Sequence, residues 1–239
     1  SLAQKLCDRN KSIGADGLLV LEDSKTTDFT MRIINADGSE VEMCGNGARC
    51  IAYFAHVLKI ADHEMSFKTH AGLIQASVDG TMVKVKMIEP FDLKQGKSLK
   101  FVDGQEIKYS FLNTGVPHVV VFNDDVSKVD VKKLGHDIRF HEAFYPKGTN
   151  VNFAQVLSDN SIKVRTYERG VEDETLACGT GSTACAILAS LEKGVKSPTS
   201  VETSGGEILN IYYKIEDNKI KSVFLEGNVK IVFKGTIEI

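Results

Sequence analysis

The sequence lacks the features that mark membrane-spanning, secreted and nucleic-acid-binding proteins. No apolar run approaches the roughly 20 residues that a helix needs to cross a bilayer, and the first residues show no signal-peptide pattern. A net charge of −3 gives no reason to expect a nucleic acid or an anionic membrane as a partner. The five cysteines are an odd number without the spacing of a disulfide framework, which favours a reducing compartment. We therefore expect a cytoplasmic protein whose 239 residues suffice for one large domain or two smaller ones.

Motifs for metals and organic cofactors are also missing. Five residues separate Cys44 from Cys50 and six separate Cys178 from Cys185, and neither spacing is typical of a zinc site. The sequence contains no Cys-x-x-Cys redox motif and no lysine motif for pyridoxal phosphate. Each Gly-x-Gly sequence lacks the third glycine of a dinucleotide-binding fingerprint. The sequence therefore predicts a protein without a metal ion or an organic cofactor.

One stretch, from Glu42 to Lys59, carries the strongest signal that is present. Cys44 precedes a Gly-Asn-Gly turn, which runs directly into a predicted helix whose apolar residues cover most of its sides. Such a helix is usually buried. Its first turn has unpaired N–H groups and a partial positive charge, and Gly45 and Gly47 leave no side chain that would keep an anion away from them. Because this position favours a thiolate, the stretch predicts a reactive cysteine beside a site for a carboxylate or a phosphate.

The same pattern occurs a second time. The segment from Ala177 to Lys193 again contains Cys-Gly-x-Gly followed by an apolar helix, and Cys178 stands 134 positions after Cys44. Two further pairs of segments match downstream, at offsets of 134 and 137, namely Thr69–Gly72 with Thr203–Gly206 and Met87–Glu89 with Phe224–Glu226. Matches in the same order at nearly one spacing indicate an internal duplication.

The duplication and the strand patterns together predict two halves. Residues 1–92 form the half with the Cys44 helix, which we expect the C-terminal strand at 227–239 to complete. Residues 93–226 form the half with the Cys178 helix, and the polar residues 94–100 lie at the expected boundary. Short strands with Gly and Asp turns predict an antiparallel barrel or sandwich around each helix, and therefore an α+β fold.

Each cysteine follows a polar strand end. Asn35 lies nine residues before Cys44 in an Asn-Ala-Asp-Gly turn, and Glu168 with Arg169 begins ten residues before Cys178. A turn residue and a solvated ion pair are the simpler interpretations, but the equivalent positions in the two halves favour a binding role. His118, which follows a proline, is by itself more typical of a structural residue.

Two reactive thiols at equivalent helix ends restrict the chemistry. Cysteines that only fill space under a tight turn would not explain the glycines that follow them, and a single nucleophile would need one thiol with a histidine base. Racemisation or epimerisation needs two similar bases on opposite sides of one carbon, because one thiolate removes the α-proton while the opposing thiol protonates the other face. The N–H groups of both helix ends would then stabilise the charge that spreads onto the α-carboxylate. The sequence favours this last interpretation.

Three motifs resemble a known family. The segments NADGSEVEMCGNGARC at 35–50, PKGTNVNF at 146–153 and YERGVEDETLACGTGSTA at 167–184 look like those of diaminopimelate epimerases, and the resemblance extends from Leu2 to the C-terminus. Proline racemases and PhzF-type isomerases share the duplicated fold but not the combination of Asn35, Asn46 and Glu168-Arg169. The resemblance implies a barrel around each central helix and a substrate between the halves. It also implies cofactor-independent conversion of the amino acid LL-2,6-diaminopimelate to its meso form, for lysine and cell-wall synthesis.

The resemblance also assigns roles to matching positions. It implies that Cys44 and Cys178 are the two catalytic thiols and that His118 and Glu168 support catalysis. The implied substrate contacts are Asn35, Gly45, Asn46, Asn150, Glu168, Arg169, Gly179 and Thr180. Arg169 suits a substrate carboxylate because its guanidinium can pair with both oxygens. The alternative to an enzyme is a protein of the same fold that binds its ligand without catalysing a reaction.

Three departures from the family pattern concern the N-terminal region and two loops. Gly17 stands where some members have a glutamine contact, and Val116 replaces the asparagine common before Pro-His. The family's opening strand and its Gly-Asn-Asp-Phe loop would lie upstream of Ser1, and residues 1–10 look like a helix already under way. We therefore expect a truncated form or an unpaired strand edge that invites self-association. The sequence leaves a homodimer open as the assembly.

Overall fold

The computed structural model describes residues 1–102, 104–217 and 219–237, and the chain divides into two units. The first unit is Ser1–Lys86 together with the residues from Gly227 on, and the second is Met87–Glu226. The division falls before the boundary that we predicted after residue 92, because Met87 already packs among the buried side chains of the second unit.

The first unit is a mainly antiparallel sheet packed on one helix. Its described elements are α1 Leu2–Cys7, β1 Gly17–Glu22, β2 Phe29–Asn35, β3 Glu40–Val41, α2 Gly45–Val57, β4 Glu64–Thr69, β5 Gly72–Asp79 and β6 Met82–Lys86. The strands follow the order β1–β2–β4–β5–β6, and β3 pairs with β2. β2 and β4 are parallel because the chain crosses from one to the other through α2, whereas the hairpin pairs are antiparallel. Phe29 of β2 and Phe67 of β4 stack in the core with ring centroids 4.7 Å apart.

The second unit has a longer sheet of the same kind. Its described elements are β7 Phe91–Lys100, β8 Glu106–Asn113, β9 Pro117–Phe122, a 3-10 helix Val126–Lys128, α3 Val131–Arg139, a 3-10 helix Glu142–Phe144, β10 Asn150–Ser158, β11 Ser161–Glu168, β12 Asp173–Thr175, α4 Gly179–Lys193, β13 Thr199–Thr203, β14 Ile208–Glu216 and β15 Lys219–Asn228. The strand order is β15–β14–β13–β11–β10–β9–β8–β7, and β12 pairs with β11. The β11–β13 and β9–β10 pairs are parallel.

The predicted duplication is confirmed by the order of these elements. The series β2, β3, α2, β4, β5 and β6 of the first unit recurs as β11, β12, α4, β13, β14 and β15 of the second. In both series the helix connects a parallel strand pair, and a short strand pairs with the strand that precedes the helix. The predicted α+β fold with one central helix in each half is therefore correct. The parallel strand pairs were not predicted, because the alternation of apolar and polar residues within one strand does not reveal the direction of its neighbour.

The two central helices differ in burial. In α4 the side chains of residues 184–189 have no exposed surface, as expected for a helix that is apolar on most sides. In α2 the small residues Ala52 and Ala55 are fully buried, but Cys50 is exposed and Phe54 is 44% exposed. The prediction of burial on most sides is thus correct for α4 and wrong for α2, whose outer face lies open in the first unit.

Several local predictions were wrong. Residues 94–100, expected at the boundary, belong to β7, which pairs with β8 through two register shifts. Their polar side chains are exposed, and only Leu99 is buried, because a strand at the end of a sheet can keep its charged residues in water. Residues 126–134 also predict one short helix. The structure instead has a 3-10 turn followed by α3, because Asp130 caps a new helix by accepting the N–H of Lys133.

The two chain ends also differ from expectation. The helix predicted over residues 1–10 covers only Leu2–Cys7, and the Ser1 side chain caps it by accepting the N–H of Gln4. No described residue after Asn228 lies in a strand, although we predicted one at 227–239. Val229 is nevertheless buried in the core of the first unit, and its N–H donates to the Thr81 carbonyl at 2.8 Å. Within the described ranges, the helices are too short or too polar to cross a bilayer.

Candidate active site

Cys44 immediately precedes α2 and is its N-cap residue. It has extended backbone angles, and its Sγ accepts the N–H of Gly47 at 3.5 Å, which satisfies one of the donors that a helix start leaves unpaired. A Cβ at Gly47 would lie 3.1 Å from Leu19 and 3.3 Å from Met31, so the turn packs closely on the sheet. The Cys44 side chain is exposed. The thiol therefore stands at the helix mouth, as predicted, and is accessible.

The other predicted residues of the first unit lie around this turn and at the end of β2. Gly45 and Asn46 form the first turn of α2, and Asn46 Oδ1 accepts from the buried guanidinium of Arg49 at 3.2 Å. Asn35 ends β2, and its amide donates to the Ser39 hydroxyl at 3.1 Å. Gly17 pairs with Asn35 across β1 and β2, and a Cβ at Gly17 would lie 2.9 Å from the Ile34 carbonyl oxygen.

Cys178 is the equivalent residue at the start of α4. Its backbone is extended, its Sγ lies 3.5 Å from Thr180 Oγ1, and 8% of the residue is exposed. The Thr114 hydroxyl donates to the Thr180 carbonyl at 3.0 Å and so ties the loop before β9 to the first helical turn. Gly179 and Gly181 are both buried in this turn. The second thiol is more enclosed than the first.

A backbone hydrogen bond holds the chain just before each cysteine. The N–H of Ala71 donates to the Glu42 carbonyl at 3.3 Å, and the N–H of Gly205 donates to the Leu176 carbonyl at 2.8 Å. Each acceptor lies two residues before its cysteine, and the donors come from the matching turns after β4 and β13. The same backbone hydrogen bond therefore holds the chain before both helices, and it does not require a particular side chain at either position.

His118 lies in the interior of the second unit. It is fully buried, and its Nδ1 lies 3.2 Å from Asn152 Nδ2. Burial, followed by the positive charge of Arg169, lowers the pKa of His118 to about 3. The ring is therefore neutral at physiological pH. Part of the shift comes from electrostatic repulsion between a protonated ring and the Arg169 guanidinium.

Asn150 joins two predicted site residues through its side chain. Its amide nitrogen donates to the Pro117 carbonyl at 3.1 Å, and its carbonyl oxygen accepts the backbone N–H of Arg169 at 2.9 Å. Parallel pairing of β9 with β10 also places Asn150 directly beside His118. The Arg169 guanidinium donates to the Lys147 carbonyl at 3.3 Å. Asn150 thus fixes the turn that carries Arg169.

Glu168 ends β11 and is bound to the adjacent strand. The Thr175 hydroxyl donates to Glu168 Oε2 at 3.0 Å. Burial raises the pKa of Glu168, and the hydrogen bond from Thr175 acts in the opposite direction. A largely buried carboxyl with a raised pKa is a candidate for acid–base catalysis.

The structure brings the predicted residues of the second unit into one connected set. Asn150 and Asn152 link His118, Arg169 and the Cys178 turn, while Glu168 lies next to Arg169 in the chain. Sequence reasoning missed Asn152 and Thr175. A usable signal existed for Asn152, because the period of two in a strand puts it on the same face of β10 as Asn150. Across the described part of the chain, no group of three or more His, Cys, Asp or Glu residues is arranged to hold a metal ion.

Comparison with known proteins gives a consistent result. The family model for diaminopimelate epimerase matches residues 1–90 and 110–232. The chain is 50% identical over 239 residues to the diaminopimelate epimerase of Aquifex aeolicus, covering 98% of this chain and 84% of that protein. It is 46% identical over 241 residues to the diaminopimelate epimerase of a Hydrogenobaculum species, again covering 98% and 84%.

Solved structures with similar folds have much lower sequence identity. A PhzF-family phenazine biosynthesis protein of Bacillus anthracis is 15% identical with a TM-score of 0.69, covering 94% of this chain and 84% of that one. A probable proline racemase of Agrobacterium radiobacter is 16% identical with a TM-score of 0.67, covering 95% and 77%. At such identities the likeness concerns the fold alone.

Proposed function

Since the chain belongs to the diaminopimelate epimerase family, we propose that it converts LL-2,6-diaminopimelate to meso-diaminopimelate with two cysteines as acid and base. The observation that carries the proposal is the placement of Cys44 and Cys178 as the N-cap residues of two duplicated helices. The reaction inverts one of the two α-carbons and leaves the other unchanged. It requires a base and an acid on opposite faces of that carbon.

The proton transfers balance within the two thiols. In one direction a cysteine thiolate takes the α-proton and becomes a thiol, while the other cysteine's thiol gives its proton to the opposite face and becomes a thiolate. The reverse reaction exchanges the roles. A duplicated fold supplies this pair directly, because each half contributes one thiol at the N-cap of its central helix. The two settings are not identical, since Cys44 is exposed and Cys178 is nearly buried.

The negative charge formed on the α-carbon needs stabilisation. It spreads onto the α-carboxylate, and backbone N–H groups at a helix start are suited to hold that group because they carry a partial positive charge. Gly45 with Asn46, and Gly179 with Thr180, follow the cysteines in the first turns of α2 and α4. We assign these residues to binding of the reacting end of the substrate.

The remaining site residues are assigned to recognition and to support of catalysis. Arg169, held by Asn150 and Lys147, provides a guanidinium for a substrate carboxylate. Glu168 and His118 are two groups near this turn whose pKa values are shifted mainly by burial, and we assign them to support of the proton transfers. Asn35 and Asn150 complete the proposed polar contacts with the substrate.

The pathway and the location follow as further proposals. The product is a precursor of lysine and of peptidoglycan. Two-thiol chemistry requires both cysteines to be reduced, which a cytoplasmic location provides. Light scattering on the purified protein tests whether it forms the homodimer that the sequence leaves open.

The test is exchange of the substrate α-proton in deuterated water. The protein is incubated with LL-2,6-diaminopimelate, and both deuterium at the α-carbon and the isomer ratio are measured. We expect exchange and meso product with diaminopimelate and neither with proline, and the Cys50→Ser variant serves as a matched cysteine control with activity retained. Binding of diaminopimelate without exchange would indicate a binding protein, and exchange of proline alone would indicate a proline racemase.

A further inference from the structure

The buried imidazole of His118 has one bonded and one unpartnered nitrogen. Nδ1 is close to Asn152 Nδ2, whereas Nε2 is buried and has no hydrogen-bond partner among the described residues. A neutral imidazole carries a single N–H, and the neighbour of one nitrogen decides which of the two bears it. Buried polar atoms without a partner are uncommon, and each calls for an explanation.

The surroundings of Asn152 determine which way its amide faces. Asn152 Nδ2 lies 2.8 Å from the Val119 carbonyl oxygen, and a carbonyl oxygen can only accept a hydrogen bond. The amide nitrogen must therefore face Val119, and its second N–H is left for His118 Nδ1. On the other side, Asn152 Oδ1 accepts the hydroxyl of Thr166 at 2.9 Å. Nδ1 must then be the acceptor, and the proton of the neutral ring is on Nε2.

The same amide lies against the turn that carries Cys178. A Cβ at Gly181 would lie 2.3 Å from Asn152 Oδ1 and 3.3 Å from Cys178 Sγ. No side chain larger than that of glycine fits between them, so Asn152 reaches the helix start and the neighbourhood of the thiol. One buried side chain is thus in contact with His118 on one side and with the first turn of α4 on the other.

We propose that Asn152 is a positioning residue that holds His118 as the Nε2–H tautomer and at the same time fixes Gly181 beside the Cys178 thiol. This inference rests on the proposed function, because it gives His118 its task in the reaction. In this tautomer the Nε2–H group is a donor without a hydrogen-bond partner among the described residues, and we assign it to support of the proton transfers. Any change in the Asn152 amide would then alter the proton position on the ring as well as the placement of the thiol.

The test combines spectroscopy with kinetics on the whole chain. Protein labelled with ¹⁵N at its six histidines is examined by ¹⁵N–¹H correlation, and the His118 signals are identified from a His118→Gln sample. The wild-type ring should bear its proton on Nε2 at neutral pH. In Asn152→Asp a carboxylate replaces the donor beside Nδ1, and the proton should move to Nδ1 or the ring should become charged. Asn152→Leu keeps the volume without the hydrogen bonds.

The kinetic expectation is a fall in kcat of about 100-fold for both variants, with a smaller change in KM, because the reacting groups are misplaced rather than unbound. Thr199→Val removes another buried hydroxyl of this unit, which bonds to Lys196 and Tyr213, and should lower thermal stability without changing the tautomer or kcat. Thr166→Val, which removes the donor to Oδ1, gives a milder second test if the Asn152 variants fail to fold.

The outcomes separate this inference from the proposed function. A wild-type ring that carries its proton on Nδ1, or is charged at neutral pH, in an active enzyme overturns the role of Asn152 alone. Unchanged kcat in Asn152→Leu does the same. If the ring is the Nε2–H tautomer but the protein does not exchange the α-proton of diaminopimelate, the proposed function is wrong. The role of Asn152 in catalysis is then wrong as well.

Discussion

The Thr175 hydroxyl donates to Glu168 Oε2 at 3.0 Å, from a short strand that pairs with the end of β11. Thr175 lies three residues before Cys178, so one hairpin connects the proposed supporting carboxylate with the approach to the second thiol. Burial raises the pKa of Glu168, and Thr175 limits that rise because its donor favours the ionised form. The hydroxyl therefore favours the ionised form of Glu168, against the effect of burial.

Replacing this hydroxyl should shift the pH dependence of the reaction. In Thr175→Val the pKa of Glu168 rises further, since the donor to its carboxylate is lost. A hydrogen bond to the ionised carboxylate stabilises that form, and its loss therefore favours the protonated form. The acidic limb of the kcat/KM profile should therefore move to higher pH. Thr175→Ser keeps the hydroxyl and should keep the wild-type profile, and identical profiles for Val and wild type would exclude a role for this contact.

Removal of either thiol should stop epimerisation without unfolding the protein. A serine hydroxyl is too weak an acid to form its conjugate base at neutral pH, so Cys44→Ser and Cys178→Ser should each lose at least about 10²–10⁴-fold in rate, the range of a general acid or base. Turnover of each variant is measured together with its circular dichroism spectrum. Near wild-type epimerisation by either single variant would refute the two-base mechanism.

The guanidinium of Arg169 should be needed for more than its charge. In Arg169→Lys the residue stays cationic but can no longer pair with both oxygens of a carboxylate. Loss of such a partner typically costs about 2–5 kcal/mol, so kcat/KM should fall by orders of magnitude. The matched control is Arg32→Lys, at a surface site where Arg32 pairs with Glu22 and Glu40. Equal kinetics for Arg169→Lys and wild type would show that Arg169 is only a surface charge.

The cysteines should differ sharply in their reaction with iodoacetamide. Burial, followed by the neighbouring Cys178, raises the pKa of the Cys185 thiol well above its usual value. The thiolate is the reactive form, so Cys185 should stay unlabelled in the native protein. Cys44 and Cys50 are exposed and should be labelled first. Peptide mapping over time measures this order, and labelling of Cys185 as fast as of Cys50 would show that the core around α4 opens freely.

The sequence was informative where one local pattern fixes one structure. Cys-Gly-x-Gly before an apolar run predicted the starts of α2 and α4, because the glycine turn and the helix are both local features. The internal repeat predicted the common order of elements in the two units, because similar sequence patterns in the same order form similar elements. His118 was less clear, since its burial and its neighbours depend on β10, which is distant in sequence.

Other features could not be derived from local pattern. Residues 94–100 look like a linker because they are polar, yet backbone pairing with β8 makes them a strand whose side chains remain in water. The contact of Asn152 with Gly181 joins a strand to a helix start almost thirty positions later in the chain. Neither residue carries a local signal for that approach, so only the assembled sheet and helix reveal it.

The unequal burial of the two central helices has a consequence for local opening. Amide hydrogen exchange in native proteins proceeds through partial unfolding, and segments with fewer buried contacts open at lower free energy. Six of the thirteen residues of α2 are buried, against ten of the fifteen of α4. The amides of α2 should therefore exchange with deuterium sooner than those of α4. The two thiols thus lie at the starts of helices that differ in local stability, and Cys44 caps the helix that we expect to open at the lower free energy.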